Sequence, residues 1–263
     1  MLMRTLQSLL ITCLLAGTVS AASDPFVGKW KLDVSKSRLT GRRIAVQTLG
    51  GNKYSLTFPG SATYTLLANG TPKRVGLGYA MSLTAEDGHV WKFAVNQNGH
   101  RVSTITWTLS VDERTILAEA IRIRPDGATV NTRETFKRSA GSTGFAGVWE
   151  TTSVAGESEF APEEQVIRPY DHGGLTFDFP AWGYVISVKF DGKDYPETGP
   201  DVPPGATSSA RRLSERAINQ TEKFKGRVTE TLQLRVSNDG KTLTATDHYV
   251  GESMPQVYVY DRE

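Results

Sequence analysis

The sequence predicts an all-β protein built as two antiparallel β-barrels in tandem, and three observations predict it. Apolar residues recur at every second position, Gly-containing turns cut the runs at short intervals, and the whole pattern is written twice. Alternation of period two marks strands with one buried face. Strands recurring about every 8–12 residues point to a sandwich or an up-and-down barrel. About eight sequential antiparallel strands lose their exposed edges most simply by closing into a barrel.

The first 21 of the 263 residues stand apart from that pattern. Met1-Leu2-Met3-Arg4 gives a positive start, Leu6 to Val19 is mostly apolar, and Val19-Ser20-Ala21 or Ser20-Ala21-Ala22 supplies the small residues of a cleavage site. This is the layout of a secretory signal peptide, and the apolar run is shorter than the roughly 20 residues a membrane-spanning helix needs. Export to the periplasm or medium is the expectation, with no transmembrane segment after cleavage. Cleavage removes Cys13, the one cysteine, so the mature chain holds together without disulfides and without a cysteine-ligated metal.

The strands follow in order. Tyr64, Leu66 and Ala68 alternate with Thr63, Thr65 and Leu67, and Ile105, Trp107, Leu109 and Val111 alternate with threonines and Ser110. Trp182, Tyr184, Ile186, Val188 and Phe190 line one face of a later run. Turns are expected at Gly50-Gly51-Asn52, Asn69-Gly70, Asp87-Gly88, Asn98-Gly99, Asp126-Gly127, Asp191-Gly192 and Asp239-Gly240, where Gly accepts the positive φ of a tight hairpin. One short helical turn is expected at Ala161-Pro162-Glu163-Glu164-Gln165.

The repeat is read from matched segments. Gly28-Lys29-Trp30 returns as Gly147-Val148-Trp149, 119 residues later, and Leu56-Thr57-Phe58 returns as Leu175-Thr176-Phe177 at the same spacing. Ser110-Val111-Asp112 corresponds to Ser237-Asn238-Asp239, and the units end at Phe136-Lys137-Arg138 and Tyr260-Asp261-Arg262. The expected division is a signal peptide at 1–21, a first barrel at 22–139, a linker at 140–144 and a second barrel at 145–263.

With Gly28/Trp30 and Gly147/Trp149 each opening a unit, the sequence resembles the lipocalins and related calycin barrels. The stretch Lys189-Phe190-Asp191-Gly192-Lys193-Asp194-Tyr195-Pro196 is similar to a group of secreted bacterial lipocalin-like proteins of unassigned activity. The resemblance implies that each Trp plugs one end of a barrel with an Arg packed over it. Arg138 and Arg262 stand where that Arg is expected, pairing Trp30 with Arg138 and Trp149 with Arg262. It also implies binding of a small apolar or amphipathic ligand.

Charge divides between the halves. Residues 22–141 hold 17 Lys/Arg and 9 Asp/Glu, whereas 142–263 hold 12 and 19, so a net +8 faces a net −7. Docking of the basic unit on the acidic one, an anionic envelope partner for the basic unit, or plain solvated charge each follow from this. The basic residues form no long run, which argues against nucleic acid.

Catalytic signatures are missing from the sequence. No Gly-x-Ser-x-Gly elbow, phosphate-binding loop or dinucleotide fingerprint occurs, so no cofactor is expected. His89, His100, His172 and His248 lack metal-ligand spacing, and no metal is expected. The candidate ligand site gathers on the second unit. Trp182 and Tyr184 open a strand near a rim, Asp194 and Tyr195 begin a proline-stiffened loop to Gly205 that reads as a lid or a tether, and His248 is placed on a strand beside Asp247. If His248 points inward, an acid–base set with Asp194 or Tyr195 becomes available. Ligand binding is the first reading. An isomerase, lyase or hydrolase at the mouth of the second barrel, and an interaction module with filled barrels, are the alternatives. Buried polar groups in a cavity favour the enzyme, an apolar cavity the binder, and no cavity the module.

Overall fold

The computed structural model describes residues 24–263 apart from 59–62, 76–78, 124–126, 142, 157–162, 182, 200–201 and 253. The expected signal peptide, Trp182, and Ala161-Pro162 of the expected helical turn lie outside the described residues. The described remainder of that turn is not helical, since Glu164 already begins a strand. Among the described residues there is no helix, and so none long and apolar enough to cross a membrane.

In chain order the strands are β1 (Gly28–Leu32), β2 (Arg43–Thr48), β3 (Lys53–Thr57), β4 (Thr63–Leu67), β5 (Lys73–Arg74), β6 (Tyr79–Ala85), β7 (Val90–Gln97), β8 (His100–Leu109), β9 (Thr115–Ile123) and β10 (Thr129–Ala140). They continue as β11 (Gly147–Gly156), β12 (Glu164–Tyr170), β13 (Gly174–Phe179), β14 (Tyr184–Val188), β15 (Tyr195–Pro196), β16 (Ala206–Ser214), β17 (Ala217–Phe224), β18 (Arg227–Val236), β19 (Thr242–Tyr249) and β20 (Gln256–Arg262). They form two nearly closed antiparallel barrels of 10 strands each, so the chain is all-β. Barrel 1 has the order β4-β3-β2-β11-β10-β9-β8-β7-β6-β5, and barrel 2 the order β14-β13-β12-β1-β20-β19-β18-β17-β16-β15.

The sheets do not divide where the sequence units do. β1 lies in barrel 2, between β12 and β20, and β11 lies in barrel 1, between β10 and β2. Each barrel thus takes its Gly-x-Trp strand from the other half. The expected linker serves as the turn of the β10–β11 hairpin, because so short a connection favours pairing of consecutive strands. The longer segment 33–42 crosses between barrels instead.

The exchange corrects the expected Trp–Arg pairs while keeping their geometry. Trp30 and Trp149 are both fully buried. The Arg262 guanidinium stacks 4.0 Å from the Trp30 ring and that of Arg138 4.2 Å from Trp149. Each indole N–H donates to a carbonyl four residues back, Phe26 at 2.9 Å and Phe145 at 2.8 Å. Each Arg donates to carbonyls of the chain just before the Trp strand, Val27 for Arg262 and Ala146 for Arg138, both at 2.7 Å. A Cβ at Gly28 or Gly147 would collide with the same guanidinium, and their φ of 151° and 150° disfavours other residues besides. Gly and Trp are therefore one device, a plug closed by an arginine.

Barrel 2 closes across β14 and the segment after β15, where Val185 and Thr198 exchange two backbone hydrogen bonds of 2.7 and 3.0 Å. The proline-rich loop thereby begins as a closing strand, neither lid nor tether over its described start. Val111, expected to face inward, sits in a turn and is 95% exposed. Basic residues of the first half meet acids of the second in exposed pairs, among them Lys29 with Glu164 and Glu263 and Lys36 with Asp261.

Candidate functional site

Barrel 2 holds a cavity of about 50 Å³. Phe177 and Phe179 of β13, Tyr184 of β14, Leu232 and Leu234 of β18, Ala245 of β19, and Tyr258 and Tyr260 of β20 form most of its wall. The rings of Phe179 and Tyr184 stack at 4.6 Å. Three carboxyl groups also line it: Glu222 of β17, Glu230 of β18 and Asp247 of β19. Strand alternation puts them there, since Asp247 is in phase with the buried Leu243 and Ala245, and Glu230 with the buried Leu234 and Val236.

Pairing then assembles the cluster. Glu222 lies directly across from Glu230, Glu230 from Tyr249, and Leu232 from Asp247. Gln220 donates to Glu222 at 3.1 Å. Glu222 and Glu230 therefore face each other, with Tyr249 beside Glu230 on the next strand. Asp247 is 2% exposed, and among the described residues its Oδ1 has no hydrogen-bond partner. Among the described residues, no Lys, Arg or His lines the cavity.

Burial governs the titration of this group. It pushes Glu222 up to about 7 and Asp247 up to about 8, the latter also through repulsion from Glu230. Glu230 is driven well above the usual carboxylate range by burial first and then by the neighbouring Glu222. Removing a carboxylate from water disfavours its charged form, and a second carboxylate alongside adds to that. At neutral pH this cluster is largely protonated, and it can both donate and accept.

Barrel 1 is different at the same places. Its β7–β8 ladder has a register shift just after Val95, and the β17–β18 ladder has one just after Glu222. Counted from that shift, Val95, Ser103, Phe93, Ile105 and Ala120 match Glu222, Glu230, Gln220, Leu232 and Asp247. The cavity of barrel 1, about 40 Å³, is bounded by apolar side chains such as Ile44, Met81, Phe93, Ile105 and Trp107. Its one carboxylate, Glu134, is held by Arg42 Nη2 at 3.0 and 3.1 Å.

Of the side chains singled out in the sequence, Tyr184 lines the barrel 2 cavity. Asp194 is exposed and pairs with Lys223 at 2.7 Å, and Tyr195 donates to Asp191 at 3.0 Å, so neither lines it. His248 points outward, as its exposure shows, and forms no acid–base set with them. All four histidines are exposed. Sequence reasoning passed over Glu222, Glu230 and Asp247, although the phase of Asp247 with Leu243 and Ala245 was there to find it. Comparison with protein-family models and with curated proteins finds no match for the chain.

Proposed function

We propose that the protein is exported and binds a small amphipathic molecule in barrel 2, apolar part against the phenyl and leucine walls and polar end on the acid cluster. The observation that carries this reading is the orphan Oδ1 of Asp247 in a cavity of mixed lining. A buried polar atom without a partner costs about 1–3 kcal/mol, and a ligand donor removes that cost. Pockets that combine an apolar wall with a few convergent polar groups are the usual form of small-molecule sites. The resemblance to lipocalin-like barrels, and the reading of the chain as one unit repeated, are supported by the paired Gly-Trp-Arg plugs and by the matched register shifts.

The test is a fluorescent neutral amphiphile, N-phenyl-1-naphthylamine, titrated into the full mature chain. Filling barrel 2 with Ala245→Phe is expected to abolish its emission gain, while Ala118→Phe in barrel 1 leaves it. Asp247→Asn, which alters less volume, provides the check should the first variant unfold. Emission unaffected by every barrel 2 substitution goes against the reading. Intact mass of exported protein tests the loss of residues 1–21.

A second reading, acid–base catalysis at the same site, is favoured by one observation. Glu222 and Glu230 are cross-strand neighbours, with Glu222 raised to near the pH at which a general base works. Recovery of the bound molecule chemically unchanged after prolonged incubation counts against it.

A further inference from the structure

We propose that the polar end of the ligand in barrel 2 is an organic ammonium group, the head of a primary amine carried on an apolar chain. This rests on the small-molecule reading of the cavity and narrows it to a chemical class.

Charge gives the first argument. Beside the neutral amides of Gln165 and Gln220, the titratable groups that line the cavity are Glu222 from β17, Glu230 from β18, Asp247 and Tyr249 from β19, Tyr258 and Tyr260 from β20 and Tyr184 from β14. All of them become negative on ionising and none can become positive. Glu197, after β15, adds a further acid nearby. Arg42, which acts on Tyr258, is already engaged by Glu134, and Lys223 beside Glu222 is engaged by Asp194. Barrel 1 shows how this chain handles a buried carboxylate, by giving it a guanidinium. Among the described residues barrel 2 supplies no such partner, so its carboxyls hold their protons where a lone buried charge would be costly. A cationic ligand completes it.

Hydrogen bonding gives the second. Asp247 Oδ1 is an acceptor lacking a donor, with Glu222 and Glu230 a strand or two away on the same face. An ammonium carries three donors in a compact head, whereas an alcohol carries one. The tyrosine and phenylalanine faces around the cluster suit a cation as well. Size agrees, because about 50 Å³ holds a few water molecules or a head of similar bulk. A bare metal ion is the weaker fit, since among the described residues no three His, Cys, Asp or Glu side chains are grouped as metal ligands.

Protons follow from the exchange. An ammonium entering beside a protonated carboxyl leaves an ammonium–carboxylate pair and releases one proton to solvent. The raised carboxyls of Glu222 and Asp247 place that release around neutral pH. Affinity therefore rises with pH up to the range where the amine itself loses its proton.

The experiment is calorimetric titration of the full mature chain with hexylamine, hexan-1-ol and hexanoate from pH 6 to 9. Hexylamine is expected to bind at least tenfold more tightly than hexanol at pH 8, and at least tenfold more tightly at pH 8 than at pH 6. About one proton should be released, read from buffers of different ionisation heat. Asp247→Asn, with Glu230→Gln as a second variant, should weaken hexylamine at least tenfold more than it weakens hexanol. Equal binding of amine and alcohol, or an affinity flat with pH, overturns the ammonium assignment while leaving the cavity a binding site. Loss of the neutral naphthylamine signal from barrel 2 is the separate failure of the site itself.

Discussion

Barrel 1 and barrel 2 share a strand order, a Trp plug and a register shift at the same place, yet they bury different chemistry. Where barrel 1 places Val95, Ser103 and Ala120, barrel 2 places Glu222, Glu230 and Asp247. Among the described residues, the carboxylate lining the barrel 1 cavity meets an arginine from the crossing segment, and the three lining the barrel 2 cavity meet one another and Gln220. The lesson is that the barrel frame is set by the plug and the ladder, leaving the upper interior free to differ. Barrel 1 keeps a mostly apolar cavity with its carboxylate neutralised, and barrel 2 is left with acceptors to satisfy.

The largest effects expected are on the frame. Trp30→Ala and Trp149→Ala should each cost about 3–5 kcal/mol, the range for a buried large aromatic. Because the strands are exchanged, hydrogen exchange in Trp30→Ala should accelerate first in residues 164–262, not in 43–140. Acceleration confined to residues 43–140 would contradict the topology.

Next is the Arg42–Glu134 pair, whose side chains are 7% and 5% exposed. Removing one partner, as in Glu134→Ala, is expected to cost about 3–5 kcal/mol, since it strands a buried charge. The double replacement Arg42→Met with Glu134→Leu should recover most of that loss in chemical denaturation. A double variant no more stable than the single one would show that the pair holds the crossing segment by more than charge.

A smaller effect separates the barrels by pH. The unfolded chain gives up its carboxyl protons near pH 4, whereas Glu222 and Asp247 in the folded chain keep theirs to about 7 and about 8. Their contribution to stability is therefore full below about pH 4 and is lost as pH rises through 7–8. Asp247→Asn, which cannot ionise, should flatten the fall of melting temperature between pH 5 and pH 8 and leave acid stability alone. A parallel fall in both proteins would sharpen the contrast against Asp247 and towards Glu222 or Glu230.

Much of the frame was legible in the sequence because period two, Gly-containing turns and the doubled Gly-x-Trp are local signals. The exchange of β1 and β11 was not, since Gly28-Lys29-Trp30 and Gly147-Val148-Trp149 are near-equivalent strands that either barrel accepts. What separates them is connection length, six residues between β10 and β11 against ten between β1 and β2. At the site, Tyr184, singled out in the sequence as a ligand-binding candidate, lines the barrel 2 cavity. His248 drew attention as a chemically versatile side chain, but its phase on β19 is opposite to that of Leu243 and Ala245. Asp247 shares their phase, and the buried acid was hidden by the habit of assigning carboxylates to the surface. Glu222 and Glu230 come together only through pairing of β17 with β18, which no local pattern states.

The most direct test is a carbon-13 NMR titration of the Asp and Glu side-chain carboxyls in the full mature chain, without ligand, from pH 3 to 10. The account expects Asp247 and Glu222 to titrate near pH 8 and pH 7, far from the bulk of the carboxyls. Midpoints below pH 5 for both Asp247 and Glu222 would contradict it, because they would mean the barrel 2 carboxylates are already paired or open to water.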